Sequence, residues 1–129
     1  MIYNDKHMSK FFAKKLLEDV VRMTSEAKTS HVGGCLSCLD VVSVLFTKIL
    51  NIDKKNPKSK KRDRFILSKG HTAAIIYSAL ANKGFFPKKW LSTFIQNGTK
   101  FLYKFTLFTM LKTFLISASI IASFWISIF

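Results

Sequence analysis

The sequence predicts an α/β domain that is rich in helices and is followed by an apolar C-terminal tail. The segments between residues 5 and 96 follow the order helix, loop, short strand, tight turn and helix, which is typical of α/β domains. Residues 101–129 contain no Asp, Glu, Gly, Pro, Asn or Gln, so the composition changes sharply near residue 100. The 129 residues amount to about one domain. We therefore expect a folded segment at residues 1–100 and a separate tail at residues 101–129.

The first element is an amphipathic helix over residues 5–26. Apolar residues recur there at spacings of three and four, and charged residues fill the opposite face. The apolar stripe consists of Phe12, Leu16, Val20 and Met23, widened by Phe11, Leu17 and Val21.

Three further helices are predicted. Residues 39–50 are largely apolar and long enough for a buried helix, and Asp40 near the start suits the helix dipole. Residues 71–81 resume a helical pattern that Gly84 ends. A short helix follows at residues 88–96, before the turn-forming pair Asn97-Gly98.

The short apolar run at residues 65–67 predicts a buried strand of a parallel sheet. Ligands of open α/β folds bind at the carboxyl edge of such a sheet, where Ser68 and Gly70 would lie. His71 would then begin the next helix, whose N-terminus suits a phosphate group. A polar loop that only caps a helix would have the same residues.

A second candidate site is the glycine-rich turn at residues 29–34, which contains His31 between two predicted helices. The imidazole could contact a sugar hydroxyl or a phosphate, because histidine exchanges protons near neutral pH. A turn that merely contains a histidine explains the same residues, and by itself this simpler explanation is preferred.

The chain is strongly basic, with 21 Lys and Arg against 7 Asp and Glu. Such a charge raises the question of nucleic acid or an anionic membrane surface. No helix-turn-helix, zinc-finger or RNA-binding sheet motif accompanies it, so we expect no nucleic-acid partner. We interpret the basic stretch as a solvated loop with affinity for phosphate; it contains Lys54, Lys55, Lys58, Lys60, Lys61, Arg62, Arg64 and Lys69.

Cys35 and Cys38 form a single C-x-x-C pair. Two cysteines supply neither a four-cysteine zinc site nor a disulfide framework. A redox motif would need a thioredoxin-like context, which is missing, so two small half-buried residues at a helix start are the preferred interpretation. Residues 1–15 do not resemble a secretory signal. A reducing, cytoplasmic setting is expected.

Residues 62–71, R-D-R-F-I-L-S-K-G-H, closely resemble the transketolase segment R-D-R-F-hydrophobic-L-S-K-G-H. Upstream, S-H-V-G-G-C-L-S at residues 30–37 resembles the family's S-G-H-P-G-G turn, which precedes a Leu-Ser pair and an apolar helix. The spacing between the two motifs also fits, and the resemblance extends over about residues 10–100. The chain is thus identified as similar to the N-terminal thiamine-diphosphate-binding part of a transketolase.

The resemblance implies a fold, a cofactor and site residues. The fold would be an incomplete thiamine-diphosphate-binding α/β fold, a parallel sheet with flanking helices. His71, with Gly70 and Ser68, would bind the cofactor diphosphate, and His31 would face the sugar substrate. The family transfers a two-carbon ketol unit between sugar phosphates in the pentose phosphate pathway, with thiamine diphosphate as electron sink and Mg²⁺ as metal. The parent enzymes work as dimers or with a second subunit.

The chain also departs from the family pattern. Ser30 and Val32 replace the glycine and the proline that flank the first histidine. From about residue 101 the family's G-H-P, glycine-rich and G-D-G…N segments are missing, and no acidic residue follows Asp63. Because Mg²⁺ requires oxygen ligands, we predict no metal site and no complete catalytic set in this chain. A C-terminal subunit would not restore the G-D-G segment.

The apolar tail has three interpretations. It could be an out-of-frame translation product, which explains the loss of the family pattern and the missing glycines together, and this is the interpretation we prefer. It could be a membrane segment, since residues 113–129 are uncharged and reach the lower edge of the ~17–25 residues that span a bilayer. The lysines before it would then face the cytoplasm. It could also be a buried core element.

The expected function is therefore that of a truncated transketolase fragment that is inactive by itself. The alternatives are the N-terminal subunit of a split transketolase and a small, basic, membrane-anchored protein without catalysis.

Overall fold

The computed structural model describes residues 2–95 of the chain, with their side chains from His7 onward. The α-helices of this part are α1 (Ile2–Glu26), α2 (Val32–Leu36), α3 (Leu39–Val44) and α4 (Ala73–Asn82). A π-helical turn, Leu45–Ile49, continues α3, and 3₁₀ turns at Gly70–Thr72 and Lys88–Thr93 flank α4. The chain divides between Phe94 and Ile95. The predicted tail at residues 101–129 lies outside the described residues.

Helix α1 confirms the first predicted helix and begins three residues earlier than expected. Leu16, Val20 and Met23 are fully buried, as the apolar stripe predicted. Phe11, Leu17 and Val21, which were expected to widen the stripe, are exposed instead. The helix ends where the amide of Ala27 donates to the Met23 carbonyl at 3.0 Å. Lys28 then adopts a left-handed φ of 51°, which turns the chain toward α2.

The hydrophobic core forms where α3 and α4 pack against α1. On the side of α3, the Ser43 hydroxyl donates to the Ser9 carbonyl of α1. On the other side, Tyr77 of α4 meets the ring of Phe94 edge-on at 5.8 Å. The core contains Phe12, Leu16, Val20, Met23, Cys35, Val42, Phe46, Ala74, Ile75, Ala79, Ala81, Leu91 and Phe94.

Asp19 is a buried charge between α1 and α4, with only 2% of its surface exposed. Its Oδ2 accepts hydrogen bonds from the Ser78 hydroxyl at 3.0 Å and from the Asn82 amide at 2.7 Å. Its Oδ1 forms ion pairs at 3.1 Å with Arg22 and Lys88. Because both oxygens are satisfied, the carboxylate fixes α4 and the following 3₁₀ turn in one register against α1.

The predicted helix over residues 39–50 forms, but its second half is π-helical. The amide of Leu50 donates to the Leu45 carbonyl, five residues earlier, at 2.9 Å. The Thr47 hydroxyl donates to the Ser43 carbonyl at 2.7 Å and so takes an acceptor of the regular α-helical ladder. This side-chain bond accompanies the wider turn that ends the element.

The predicted strand at residues 65–67 is wrong for the described part of the chain, because no strand occurs between residues 2 and 95. A strand needs a neighbour with which to exchange backbone hydrogen bonds. Phe65 instead packs edge-on against Phe46, with ring centroids 5.8 Å apart, and Ile66 is 66% exposed. The helix-rich part of the fold prediction is thus confirmed, and the sheet edge is not formed by these residues.

The basic stretch is an exposed loop that is closed at its base. The amide of Asn51 donates to Asp63 Oδ2 at 2.7 Å, and the amide of Asp63 donates to the Asn51 carbonyl at 3.0 Å. Beyond α4, Gly84 has a φ of 79°, which confirms it as the helix stop. Lys54 from the loop lies against Gly84, which ties the loop to the end of α4.

Replacing Asp19 with alanine should destabilise the full-length chain by about 3 kcal/mol, because it strands the Ser78 and Asn82 groups that the carboxylate satisfies. Arg22 and Lys88 are about half exposed and would regain water, which limits the loss. Urea unfolding measures the change. Glu18→Ala, an exposed neighbour on the same helix, should change the free energy of unfolding by less than about 0.5 kcal/mol. Equal losses in the two variants would contradict the role of Asp19.

Candidate functional site

His31 lies directly before α2, and its imidazole makes no capping hydrogen bond to that helix. Its backbone carbonyl accepts the Cys35 amide at 3.4 Å, so the main chain opens the helix while the ring stays exposed. The hydroxyl of Thr29, two residues earlier, is buried and has no hydrogen-bond partner within the described part of the chain.

His71 lies in the 3₁₀ turn Gly70–Thr72 that leads into α4, and its ring is also exposed. The fold brings this ring beside that of His31: their centroids are 4.9 Å apart and the ring planes meet at 33°. The two histidines that the sequence analysis assigned to a cofactor and a sugar therefore form one surface, which we call the histidine pair.

Close backbone packing joins the two loops that carry the histidine pair. A Cβ added at Gly34 would lie 2.9 Å from Thr72 Cγ2, closer than real contacts allow. Thr72 is completely buried, and its hydroxyl donates to the Lys69 carbonyl at 2.7 Å. Gly34 is therefore required by the close approach of α2 to the 3₁₀ turn.

Lys69 adds a polar connection between the same loops. Its ammonium donates to the Ser37 hydroxyl at 3.1 Å and lies 3.5 Å from the Gly34 carbonyl. The Ser37 hydroxyl in turn donates to the Gly34 carbonyl at 2.8 Å. Lys69, the residue directly before the 3₁₀ turn, thus reaches the end of α2 with its side chain.

Ser68 and Gly70 lie on the same exposed loop as His71. The Ser68 carbonyl accepts the Gly70 amide at 3.0 Å, which tightens the chain just before the turn. No heavy atom lies within 4 Å of a Cβ position at Gly70, so its backbone is open on that side. Contact of these residues with a diphosphate stays a prediction.

Cys35 and Cys38 form no disulfide with each other, and they differ in burial. Cys35 is completely buried in the core, and Cys38 is half-buried, with its thiol directed at the carbonyls of Gly34 and Cys35. Burial raises the pKa of the Cys35 thiol above its usual 9.0. The interpretation as small residues at the start of a helix fits this arrangement better than a reactive dithiol, whose pKa would be lowered.

Sequence reasoning named the histidines but missed the residues that bring them together. Lys69 was named within the basic stretch and within the motif at residues 62–71 but was given no role of its own, and Gly34 and Thr72 were not singled out for packing. The contact between them joins segments far apart in sequence, and no spacing pattern reports such a contact. The available signal was the position of Lys69 directly before Gly70-His71.

The polar groups of the site are of a kind that binds anions. Two exposed imidazoles and one ammonium group supply hydrogen-bond donors of the kind that phosphate oxygens accept. Such donors can also exchange protons with hydroxyl groups at neutral pH. Among residues 2–95, no group of three or more His, Cys, Asp or Glu could hold a metal ion.

Residues 11–99 match the family described as "Transketolase, thiamine diphosphate binding domain", which is well over half of the chain. The chain belongs to the transketolase family. The family's domain has an α/β fold that binds thiamine diphosphate.

Several curated transketolases resemble the chain. It is 38% identical over 94 residues to a 6-deoxy-6-sulfo-D-fructose transketolase subunit of Clostridium sp. (73% of this chain, 33% of the relative). It is 37% identical over 87 residues to an apulose-4-phosphate transketolase subunit of Phocaeicola vulgatus (67% and 31%). It is 34% identical over 76 residues to a transketolase of Pongo abelii (59% and 12%). The chain thus spans a third or less of the length of these relatives.

Gly34→Ala should destabilise the chain by about 1–3 kcal/mol relative to Gly33→Ala, because the new methyl group overlaps buried Thr72. Nothing lies within 4 Å of a Cβ at Gly33, so alanine there should be neutral or stabilising by up to about 1 kcal/mol through helix propensity. Urea unfolding of both variants measures the difference. Indistinguishable stabilities would show that the two loops do not pack as closely as described.

Iodoacetamide should alkylate Cys38 in the folded chain at pH 8 and should reach Cys35 only at the rate of local opening, since Cys35 is buried and largely protonated. Mass spectrometry of peptides reports the two sites, and unfolding in urea should make their rates equal. Faster labelling of Cys35 in the folded chain would contradict its burial.

Burial of Cys35 also predicts a dependence of stability on pH. Its raised pKa means that the unfolded thiol ionises first as the pH rises through about 9.0, while the folded thiol keeps its proton. The free energy of unfolding should therefore be unaffected by this group below that pH and should fall above it. Cys35→Ala should show a shallower fall than the unchanged chain in urea titrations between pH 8 and 10.5. Parallel curves would contradict this contribution.

Proposed function

We propose that this chain supplies the N-terminal, cofactor-binding part of a transketolase that transfers a two-carbon ketol unit between sugar phosphates. The observation that carries the proposal is the histidine pair. Two motifs of the family, far apart in the sequence, place His31 and His71 side by side on an exposed surface. Family membership supplies the chemistry to which such a surface belongs.

In this proposal, each site residue has a separate task. His71 donates to the diphosphate of thiamine diphosphate, with Ser68 and the open backbone of Gly70 beside it. His31 faces the sugar and exchanges a proton with a substrate hydroxyl. The cofactor, when bound, supplies the electron sink for the transferred unit. The exposed donors of the histidine pair and the charge of Lys69 are groups that bind an anion such as a diphosphate.

The chain alone should bind the cofactor weakly. Mg²⁺ needs oxygen ligands in octahedral geometry, and no acidic side chain follows Asp63 in the sequence. The metal ligands and the remaining catalytic groups would then come from elsewhere in the functional enzyme. We therefore propose that turnover requires more than these 129 residues.

A split enzyme is the second candidate, because two of the similar proteins are named as transketolase subunits. In that case the functional unit would be a hetero-oligomer, and the G-D-G segment would have to come from a part other than a C-terminal subunit. For either candidate, we propose a cytoplasmic setting and a role in the pentose phosphate pathway. Within residues 2–95, no helix is long and apolar enough to cross a bilayer. The segment on which the membrane-anchored alternative depends, residues 113–129, lies outside the described residues.

The proposal is tested by NMR of the histidine rings in the full-length chain. Thiamine diphosphate with Mg²⁺ should shift the His71 and His31 signals, with a dissociation constant on the order of 1 mM, equivalent to about −4 kcal/mol. Thiamine without the diphosphate should leave His71 unchanged. His7 on α1 provides the internal reference, because it lies on a different element.

His71→Asn should abolish the response to the diphosphate, and His7→Asn should preserve it. The same chain, mixed with cofactor, Mg²⁺, a ketose phosphate and an aldose phosphate, should give no measurable transfer. Shifts confined to His7 or to the basic loop would refute the assigned cofactor site. Transfer activity of the purified chain would refute the requirement for further residues.

A further inference from the structure

We propose that Lys69 is a positioning residue that holds the histidine pair together. Its ammonium is hydrogen-bonded to Ser37 and close to the Gly34 carbonyl, in the segment that follows His31. Its own backbone leads directly into Gly70 and His71. The side chain therefore connects the two loops that carry the rings. The positioning role of Lys69 does not depend on the proposed function; only the binding of cofactor and sugar by the histidine pair does.

Lys69 is exposed, and its polar contacts with Ser37 and Gly34 define the position of its ammonium. A Cβ added at Gly34 would lie 3.6 and 3.7 Å from the Cε and Nζ of Lys69, so the side chain passes close to that glycine. The Lys69 carbonyl accepts the hydroxyl of buried Thr72 at 2.7 Å, which fixes the backbone from which the side chain extends. Both ends of the connection are thus held, one by the core and one by α2.

The connection matters because the histidine rings themselves are exposed. Neither ring is packed into the core, and His31 makes no capping bond that would orient it. Exposed side chains on separate loops sample several rotamers unless their backbones are fixed relative to each other. Thr72 against Gly34 sets the approach of the two loops, and Lys69 limits sliding between them. A ligand that needs both rings would then encounter them already in place.

An alternative is that Lys69 serves only as a positive charge for an anionic ligand. The two roles predict opposite results with a cation as the probe. Adjacent imidazoles bind Ni²⁺ as a chelating pair, which requires their relative position and no anionic ligand. Loss of a neighbouring positive charge by itself should strengthen the binding of a cation. Loss of positioning should weaken it.

The experiment titrates Ni²⁺ into the full-length chain and follows the broadening of each histidine ring signal by NMR. In the unchanged chain, His31 and His71 should respond together and bind at least about tenfold more tightly than in His31→Asn, because the second ligand acts intramolecularly. Lys69→Met should lower the affinity about fivefold to tenfold, toward that single-histidine value. Lys69→Arg, which keeps the donors, should restore it to within about twofold.

Ser37→Ala separates the hydrogen bond from the charge, because it removes the acceptor and leaves Lys69 in place. It should give an affinity between those of the unchanged chain and Lys69→Met. Lys58→Met, an exposed lysine of the basic loop, is the matched control for loss of charge and should not weaken binding. Urea unfolding checks that each variant is folded. If Lys69→Met is not folded, Ser37→Ala tests the proposal in its place.

Unchanged or tighter Ni²⁺ binding in Lys69→Met would overturn the proposal, as would normal binding in Ser37→Ala. Independent responses of the two rings in the unchanged chain would overturn the pairing itself. The cofactor titration is a separate readout. A normal Ni²⁺ series with no response to thiamine diphosphate would leave Lys69 as a positioning residue and would refute the proposed function instead.

Discussion

The buried carboxylate of Asp19 is the constraint on which the rest of the described structure depends. Apolar contacts between α1 and α4 are permissive, because small and branched side chains can repack with modest loss. The charge of Asp19, which is 2% exposed, does not allow such repacking, since a buried charge is tolerated only when its partners are in place. Ser78 and Asn82 supply those partners from α4, and Lys88 supplies one from the turn that follows. One register of α4 on α1 satisfies them all.

The candidate site inherits its geometry from that register. The 3₁₀ turn with His71 is continuous with α4, and the turn with His31 follows α1 after a short loop. Once α4 is fixed on α1, the methyl group of Thr72 lies so close to Gly34 that only a glycine leaves enough space there. The buried contacts of Asp19 and the absence of a side chain at Gly34 therefore act together. They place two imidazoles next to each other without burying either of them.

The sequence predicted the elements that depend on local pattern. The central line of the α1 stripe, the helix that begins near His71 and the stop at Gly84 follow from spacing, dipole and backbone freedom, and all three are confirmed. The predicted widening of the stripe was wrong, because Phe11, Leu17 and Val21 are exposed. The strand at residues 65–67 was wrong because a strand is defined by its neighbour, and an apolar run reports only burial. Phe65 obtains that burial from the ring of Phe46 instead. The π-helical turn after α3 could likewise not be predicted, because helical periodicity does not distinguish it from a regular α-helix.

The sequence by itself determined the family of this chain and the two histidines at the centre of its candidate site. The motifs at residues 62–71 and 30–37 can be recognised without any knowledge of contacts. Only the tertiary structure decided that His31 and His71 adjoin, that Gly34 admits no side chain, and that Lys69 joins their loops. These facts concern pairs of residues that are distant along the chain. Local patterns carry no record of such pairs, since their proximity is set by how helices pack around Asp19.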